Sequence, residues 1–347
     1  MPRRFQHYTE EDVRVRPNRR GTRPRSKQRP DHADAAPGLV TAVDRGRYHV
    51  LTDAGTPVVA IKARELGRGA IVVGDRVDLV GDVSGAEGSL ARVVRVHERS
   101  TVLRRSAEDS DSHQRVIVAN ADQLVIVTAL ADPEPRPRMV DRCLVAAFDA
   151  GMDALLFLTK ADLAPPEPFL QRYAGLDVPA VTTRLAGDQV HGLEQVHERL
   201  TGRVSVLVGH SGVGKSTLVN ALVPDAERAT GGVNVVTGRG RHTSSSAVAL
   251  ALPEGGWIID TPGVRSFGLA HVEADRFLAA FTDLAEVAQA CPRGCTHADD
   301  APDCALDEWA ATAGPVGRAR LESFRRLLAS RLAGDDGPHP PCTEVLL

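Results

Sequence analysis

Three observations predict a multidomain chain around a central α/β nucleotide-binding domain. The segment GHSGVGKST (209–217) is a phosphate-binding loop set between an apolar run and a helical pattern. Strand-like apolar runs alternate with a helical pattern between 122 and 260, as in a mostly parallel sheet with helices on both faces. On either side lie a block of short β-like runs at 37–105 and a cluster of three cysteines and a histidine at 291–304.

The first 36 residues read as a basic arm. Residues 1–30 carry ten Lys or Arg against three acids, a balance of +7 in a chain of formal net charge −3, which leaves −10 on the remainder. A segment of this composition buries too little apolar surface to fold alone. It either follows nucleic-acid phosphates or serves as a solubilising tail, and both readings stand. In the next block, runs at 38–43, 47–51, 57–61, 71–73 and 76–80 are divided by Gly46, Gly55, Gly74 and Gly81, which predicts a small β-barrel. Tyr48 is its single aromatic residue, so base stacking has little support there.

The central domain occupies 106–285. Residues 122–130 and 153–160 read as strands around a helical pattern at 138–150, with a further strand at 178–183. The apolar run 204–208 leads into the phosphate loop, which fits G-x-x-x-x-G-K-[ST] without a mismatch. There Gly209, His210, Ser211, Gly212, Val213 and Gly214 would curl around phosphate oxygens, because such a turn and the helix after it offer backbone N–H groups to an anion. Lys215 would reach the β- and γ-phosphates as the catalytic cation, Ser216 would place its hydroxyl on Mg²⁺, and Thr217 completes the segment. A second apolar run ends in Asp260-Thr261-Pro262-Gly263. Asp260 would hold Mg²⁺ through water, and the Gly263 N–H would meet the γ-phosphate.

Thr159-Lys160-Ala161-Asp162 follows the strand at 154–158, where GTPases carry N-K-x-D. The Asp162 carboxylate would accept hydrogen bonds from guanine N1 and N2 while the Lys160 stem covers the base. Adenine lacks those donors, and an unpaired buried carboxylate costs about 1–3 kcal/mol. Thr159 stands in place of Asn, shorter but still able to donate.

Cys291, Cys295, His297 and Cys304 fall within 14 residues of a chain with five cysteines. Three thiolates and an imidazole complete a tetrahedral structural Zn²⁺ site with no open position for catalysis. Disulfides are the rival reading, but nothing else in the sequence suggests secretion. Residues 286–334 form the predicted zinc-binding helical domain, in which 318–332 has helical periodicity and a basic face; 335–347 reads as a disordered tail. Cys143 lies on an apolar helical run and reads as core, and Cys342 has no assigned role. No apolar stretch approaches the roughly 20 residues of a membrane-spanning helix. The N-terminus has no apolar segment of secretory type, so the expected setting is cytoplasmic, with no membrane partner.

The base motif precedes the phosphate loop, the reverse of the order in ordinary GTPases. In this the chain resembles the circularly permuted GTPases. GRGRHT (238–243) further resembles the switch segment of one family, the bacterial ribosome small-subunit-dependent GTPases; Ser244 stands where that family places a second Thr. The likeness covers residues 37–331. It implies an OB-fold for the β block, Thr243 as the switch threonine sensing the γ-phosphate and Mg²⁺, and zinc on the cysteine block. That block here reads C-x₃-C-x-H-x₆-C, against C-x₄-C-x-H-x₅-C in the family. The implied partners are GTP or GDP, the maturing small ribosomal subunit and its ribosomal RNA, bound by a monomer.

Val264 stands where many GTPases place the glutamine that orients the attacking water. Slow intrinsic turnover follows, with the missing group supplied elsewhere; His242 is the candidate within the chain. Three alternatives stay open at this level: an RNA-binding scaffold with negligible turnover, a permuted GTPase of large-subunit assembly, and a phosphate-loop kinase.

Overall fold

Five strands close on themselves at the start of the described chain: β1 (Ala36–Asp44), β2 (Arg47–Thr52), β3 (Pro57–Lys62), β4 (Arg76–Gly81) and β5 (Ala91–Val96). The computed structural model describes residues 32–66, 71–106, 114–186, 189–223, 247–261, 267, 269, 272, 277–278 and 281–330. The strands follow the order β1-β2-β3-β5-β4, and β4 returns to pair with β1. The β3–β5 pair is parallel and the other four are antiparallel. This is the closed Greek-key barrel of an OB-fold. Alternate residues such as Val50, Val58, Ala60, Val77, Leu79 and Val93 fill its interior.

The apolar run 71–73 is not one of the barrel strands. Val73 makes only an isolated bridge to Val118. The Val72 N–H donates to Asp75 Oδ2 at 2.8 Å, and Asp75, fully buried, is gripped by the Arg99 fork at 2.7 and 2.8 Å. A buried carboxylate with these partners turns the chain where an apolar pattern alone suggests a strand. Next comes a two-stranded ribbon, β6 (Val102–Ser106) with β7 (Gln114–Ala119).

The central sheet is built from β8 (Gln123–Ala129), β9 (Asp153–Thr159), β10 (Ala180–Thr182), β13 (Val204–Gly209), β14 (Val248–Ala251) and β15 (Trp257–Asp260). Between β10 and β13 lies the short hairpin β11 (Arg184–Ala186) and β12 (Gln189–His191). The sheet order is β10-β9-β8-β13-β15-β14, parallel except for β14. Its strands read as unbroken apolar runs because both faces are covered. Leu124, Ile126, Leu156, Val206 and Val208 point into one core; Val125, Val127, Leu155, Phe157 and Leu207 point into the other.

The first of these cores lies under α1 (Pro137–Asp149), which is followed by the short α2 (Glu167–Gln171). On the opposite face are α3 (Leu193–Leu200) and α4 (Lys215–Leu222). Three more helices, α5 (Thr282–Ala288), α6 (Ala305–Thr312) and α7 (Gly314–Ser330), complete the described chain. Helix α7 packs on α1 through an aromatic cluster in which Phe324 stacks on Phe277 at 5.3 Å and Phe281 meets Phe148 edge-on at 5.5 Å. Two of its arginines face inward: Arg320 forks onto Asp283, and Arg326 lies over the Tyr173 ring at 5.3 Å. Cys143 is buried in α1, as read from the sequence, while Cys342 lies outside the described residues.

Barrel and central sheet are continuous. Ala42 of β1 pairs with Val248 of β14. A bulge between Val40 and Ala42 separates the part of β1 that closes the barrel against β4 from the part that meets β14, since an extra residue bends and re-aims a strand.

Candidate functional site

The site residues gather at the carboxyl ends of parallel strands, where ligands bind in open α/β sheets. The central strand β13 delivers the phosphate loop. At its end Gly209 runs so close to β8 that a Cβ would stand 2.5 Å from Val127 O, so only glycine fits. Gly214, at φ +91°, caps α4 in a left-handed conformation and opens the helix at Lys215. Val213 is buried under the loop; Ser211, Gly212, Ser216 and Thr217 are exposed at the helix N-terminus, and His210 is half-buried with Nδ1 3.3 Å from Ser211 O.

Strand β15 delivers Asp260. Its Oδ1 lies 2.7 Å from Lys215 Nζ, so the cation of the phosphate loop and the acid of the D-x-x-G turn share one ion pair. Thr261 beside it is buried and donates to Leu207 O at 2.7 Å, tying the turn to β13. Gly263, His242 and Thr243 lie outside the described residues, as does Val264.

Strand β9 delivers the base motif. Thr159 is buried and its Oγ1 donates to Val213 O at 2.6 Å, with Thr128 O a longer 3.4 Å away. Its hydroxyl proton is therefore directed at the phosphate loop. Lys160 adopts φ +60° and its ammonium donates to Asp132 O, in the loop after β8. The Ala161 N–H donates to Thr183 O at 3.0 Å, and Asp162 Oδ1 accepts from the Leu185 N–H at 3.0 Å. The exposed Asp162 carboxylate is thus oriented from β11, leaving Oδ2 for a ligand. Left-handed backbone at a non-glycine residue is costly and clusters at functional sites.

Two supports border these motifs. The loop carrying Asp132 and Pro133 borders the phosphate loop, with Pro133 Cδ 3.7 Å from a Cβ placed on Gly212. Its one signal was position, at the carboxyl end of a fully apolar strand. The backbone of Thr183 and Leu185 acts through its amide and carbonyl groups, which side-chain identity does not reveal.

In the C-terminal part, the ligand atoms of Cys291, Cys295, His297 and Cys304 all lie within 4.8 Å of one another. Cys291 Sγ is 3.9 Å from Cys304 Sγ and 3.7 Å from His297 Nδ1, and Cys304 Sγ is 3.8 Å from that nitrogen. Zinc–ligand bonds of ordinary length put tetrahedral ligand atoms about 3.6–3.8 Å apart. The donor set therefore fits Zn²⁺, despite the shifted spacing of the middle pair; His297 absorbs the turn at φ +56°. With protein alone around it, burial and then the neighbouring cysteines push the Cys304 thiol up to about 11; a bound dication reverses that preference. Arg325 of α7 braces the loop, with Nε on His297 O at 3.1 Å and its fork on Asp307 at 2.7 and 2.9 Å.

The chain matches the RsgA GTPase family over residues 96–270. It belongs to that family. A relative from Gemmatimonas aurantiaca, the small ribosomal subunit biogenesis GTPase RsgA, is 36% identical over 299 residues, covering 84% of this chain and 95% of its own. The crystal structure of YjeQ from Thermotoga maritima superposes with a TM-score of 0.64 at 25% identity, covering 86% of this chain and 99% of its own. That of YloQ, a circularly permuted GTPase, gives 0.62 at 21% identity and covers 90% and 100%, a likeness of fold. The permuted order is visible here directly: base-motif strand β9 precedes phosphate-loop strand β13 in sequence, yet both lie in one parallel sheet with β8 between them. Among the described residues no helix is long and apolar enough to cross a membrane.

Proposed function

We propose that this chain binds and hydrolyses GTP as a biogenesis factor of the small ribosomal subunit, binding late in maturation and turning over when the subunit is present. The observation that carries the reading is the convergence of Thr159–Asp162, the 209–217 loop and Asp260 at the carboxyl edge of one sheet, joined by the Thr159–Val213 and Lys215–Asp260 contacts. The relatives that match most of the chain are named small ribosomal subunit biogenesis GTPases.

In this reading Asp162 reads guanine and Lys160 covers it, while loop amides, Lys215 and the Gly263 N–H hold the phosphates. Mg²⁺, when bound with the nucleotide, would supply charge neutralisation to the phosphates. The exposed Ser216 hydroxyl and the Asp260 carboxylate are the hard oxygen donors it prefers, and Thr243 would complete the set. His242 is the candidate for placing the attacking water, since Val264 cannot. Zn²⁺ on the cysteine cluster is structural. The barrel, a GTPase body bounded near 106 and 285, and the zinc-bearing helices form three working parts, the outer two gripping ribosomal RNA. The protein acts as a monomer in the cytoplasm, where small subunits mature.

Co-sedimentation with purified small and large subunits tests this, using a non-hydrolysable GTP analogue or GDP. The reading requires binding to small subunits that is tighter with the analogue. Equal binding with either nucleotide, or preference for large subunits, overturns it.

A further inference from the structure

The four side chains of the cysteine cluster are not equivalent. Three thiolates, a neutral imidazole and a Zn²⁺ ion sum to a charge of −1, so the sulfurs carry excess negative charge that nearby donors relieve. Helix α6 supplies such donors, with Cys304 as its N-cap. The N–H of Ala305, the first residue of α6, donates to Cys291 Sγ at 3.3 Å. Cys304 has the Leu306 amide beside it and is only 5% exposed. His297 is buried too, with its carbonyl held by Arg325.

Cys295 has neither protection. It is partly exposed, and among the described residues no backbone N–H donates to its sulfur. Its own amide donates to Pro292 O at 3.1 Å. Pro292, Arg293, Gly294 and Thr296 around it are exposed, and a Cβ placed on Gly294 would meet nothing within 4 Å. Hydrogen bonds to a thiolate draw off the charge that makes it a nucleophile, and oxidation follows thiolate character and exposure.

We propose that Cys295 is an oxidation site, the sulfur at which peroxides and other soft electrophiles open the cluster. This rests on the reading of the cluster as a zinc site. The Cys295 thiolate attacks one peroxide oxygen: the S–O bond forms, the O–O bond breaks, and the departing hydroxide takes up a proton to leave as water. Sulfur is oxidised to a sulfenic acid and the peroxide is reduced. The sulfurs of Cys291 and Cys304 lie within 4.8 Å. Either thiolate attacks the sulfenic sulfur, the S–S bond forms, the S–O bond breaks, and a second hydroxide leaves as water after protonation. Both steps take thiolate ligands from the site, so the loop releases its metal, and a thiol reductant restores the ligands.

The zinc-loaded full chain is treated with substoichiometric iodoacetamide. Peptide mass spectrometry counts the label on each ligand cysteine while a colorimetric chelator follows zinc release. Cys295 takes about tenfold more label than Cys291 or Cys304, the factor that one hydrogen bond to a charged group is worth, and zinc leaves in proportion to that label. Ala305→Pro removes the amide that protects Cys291. Proline is tolerated at the first position of a helix, and Cys304 before it already has the extended backbone that a following proline demands, φ −72° and ψ 117°. In this variant the label on Cys291 rises toward that on Cys295. Hydrogen peroxide also releases zinc, with formation of a disulfide that includes Cys295 and is reversed by dithiothreitol. Equal label on the three cysteines of a zinc-loaded wild-type chain, or label first on Cys291 or Cys304, overturns the proposal and needs no variant to fold. So does peroxide oxidation that spares Cys295. A chain that holds no zinc overturns the reading of the cluster, and the proposal with it.

Discussion

Thr159, the first residue of the base motif, donates its hydroxyl hydrogen bond to Val213 of the phosphate loop at 2.6 Å. The 159–162 segment and the 209–217 loop are thereby mechanically joined. Thr159→Val removes the donor at nearly constant volume and leaves the buried Val213 carbonyl short of a partner, which costs about 1–3 kcal/mol. GTP and GDP affinity should fall about tenfold, and inosine triphosphate affinity by the same factor, since the base contacts are untouched. Fluorescence titration with the three nucleotides checks this; a loss for GTP and GDP that spares inosine triphosphate would make Thr159 a base reader instead.

Asp162 carries the opposite expectation. Asp162→Asn cannot accept from both guanine donors, so GTP affinity falls by roughly tenfold to a hundredfold. Xanthosine triphosphate, which presents an oxygen in place of the 2-amino group, gains. Competition titration between the two triphosphates measures the exchange of preference.

The ion pair between Lys215 and Asp260, at 2.7 Å, sets a competition, because a phosphate oxygen and Asp260 both seek the same ammonium. Asp260→Asn releases the lysine and, in the proposed reading, removes a magnesium contact. Turnover should fall about a hundredfold, whereas nucleotide affinity measured in a chelator should hold or rise. Equilibrium binding with and without Mg²⁺ separates the two effects.

For the cysteine cluster, elemental analysis should find one zinc per chain. Cys304→Ser should lose it and lower the melting temperature by about 5 °C or more, because metal binding to such a site is coupled to folding. Unchanged melting with full loss of metal would make the site dispensable to the fold.

The Arg325 fork holds the Asp307 carboxyl below its ordinary range. A depressed folded value means the pair stabilises the protein above the unfolded value of about 3.9 and is lost as pH falls through the lower folded one. A carboxyl titration followed by NMR should place Asp307 below its reference value, and Arg325→Met should return it there.

Much of this was legible in the sequence, for identifiable reasons. GHSGVGKST, TKAD and DTPG announced themselves because each sits at the end of an apolar strand, and the cysteine block because its spacing is that of metal ligands. The barrel's closure was legible as a count of short strands, but 71–73 was misread: Asp75 and Arg99, distant in sequence, bury a carboxylate that ends the apolar run. Strand β14 was not predicted, since Val248–Ala251 is too short to show a period. The Thr159 contact was hidden as well, because a threonine hydroxyl declares neither its rotamer nor its acceptor.

The central claim is a GTPase switched by the small ribosomal subunit, and steady-state turnover tests it most directly. Purified protein is assayed with GTP alone, with small subunits and with large subunits, and with ATP as the nucleotide control. The account requires slow GTP turnover, strong acceleration by small subunits only, and no comparable ATP turnover. Acceleration by large subunits, or none at all despite tight binding to small ones, would contradict it.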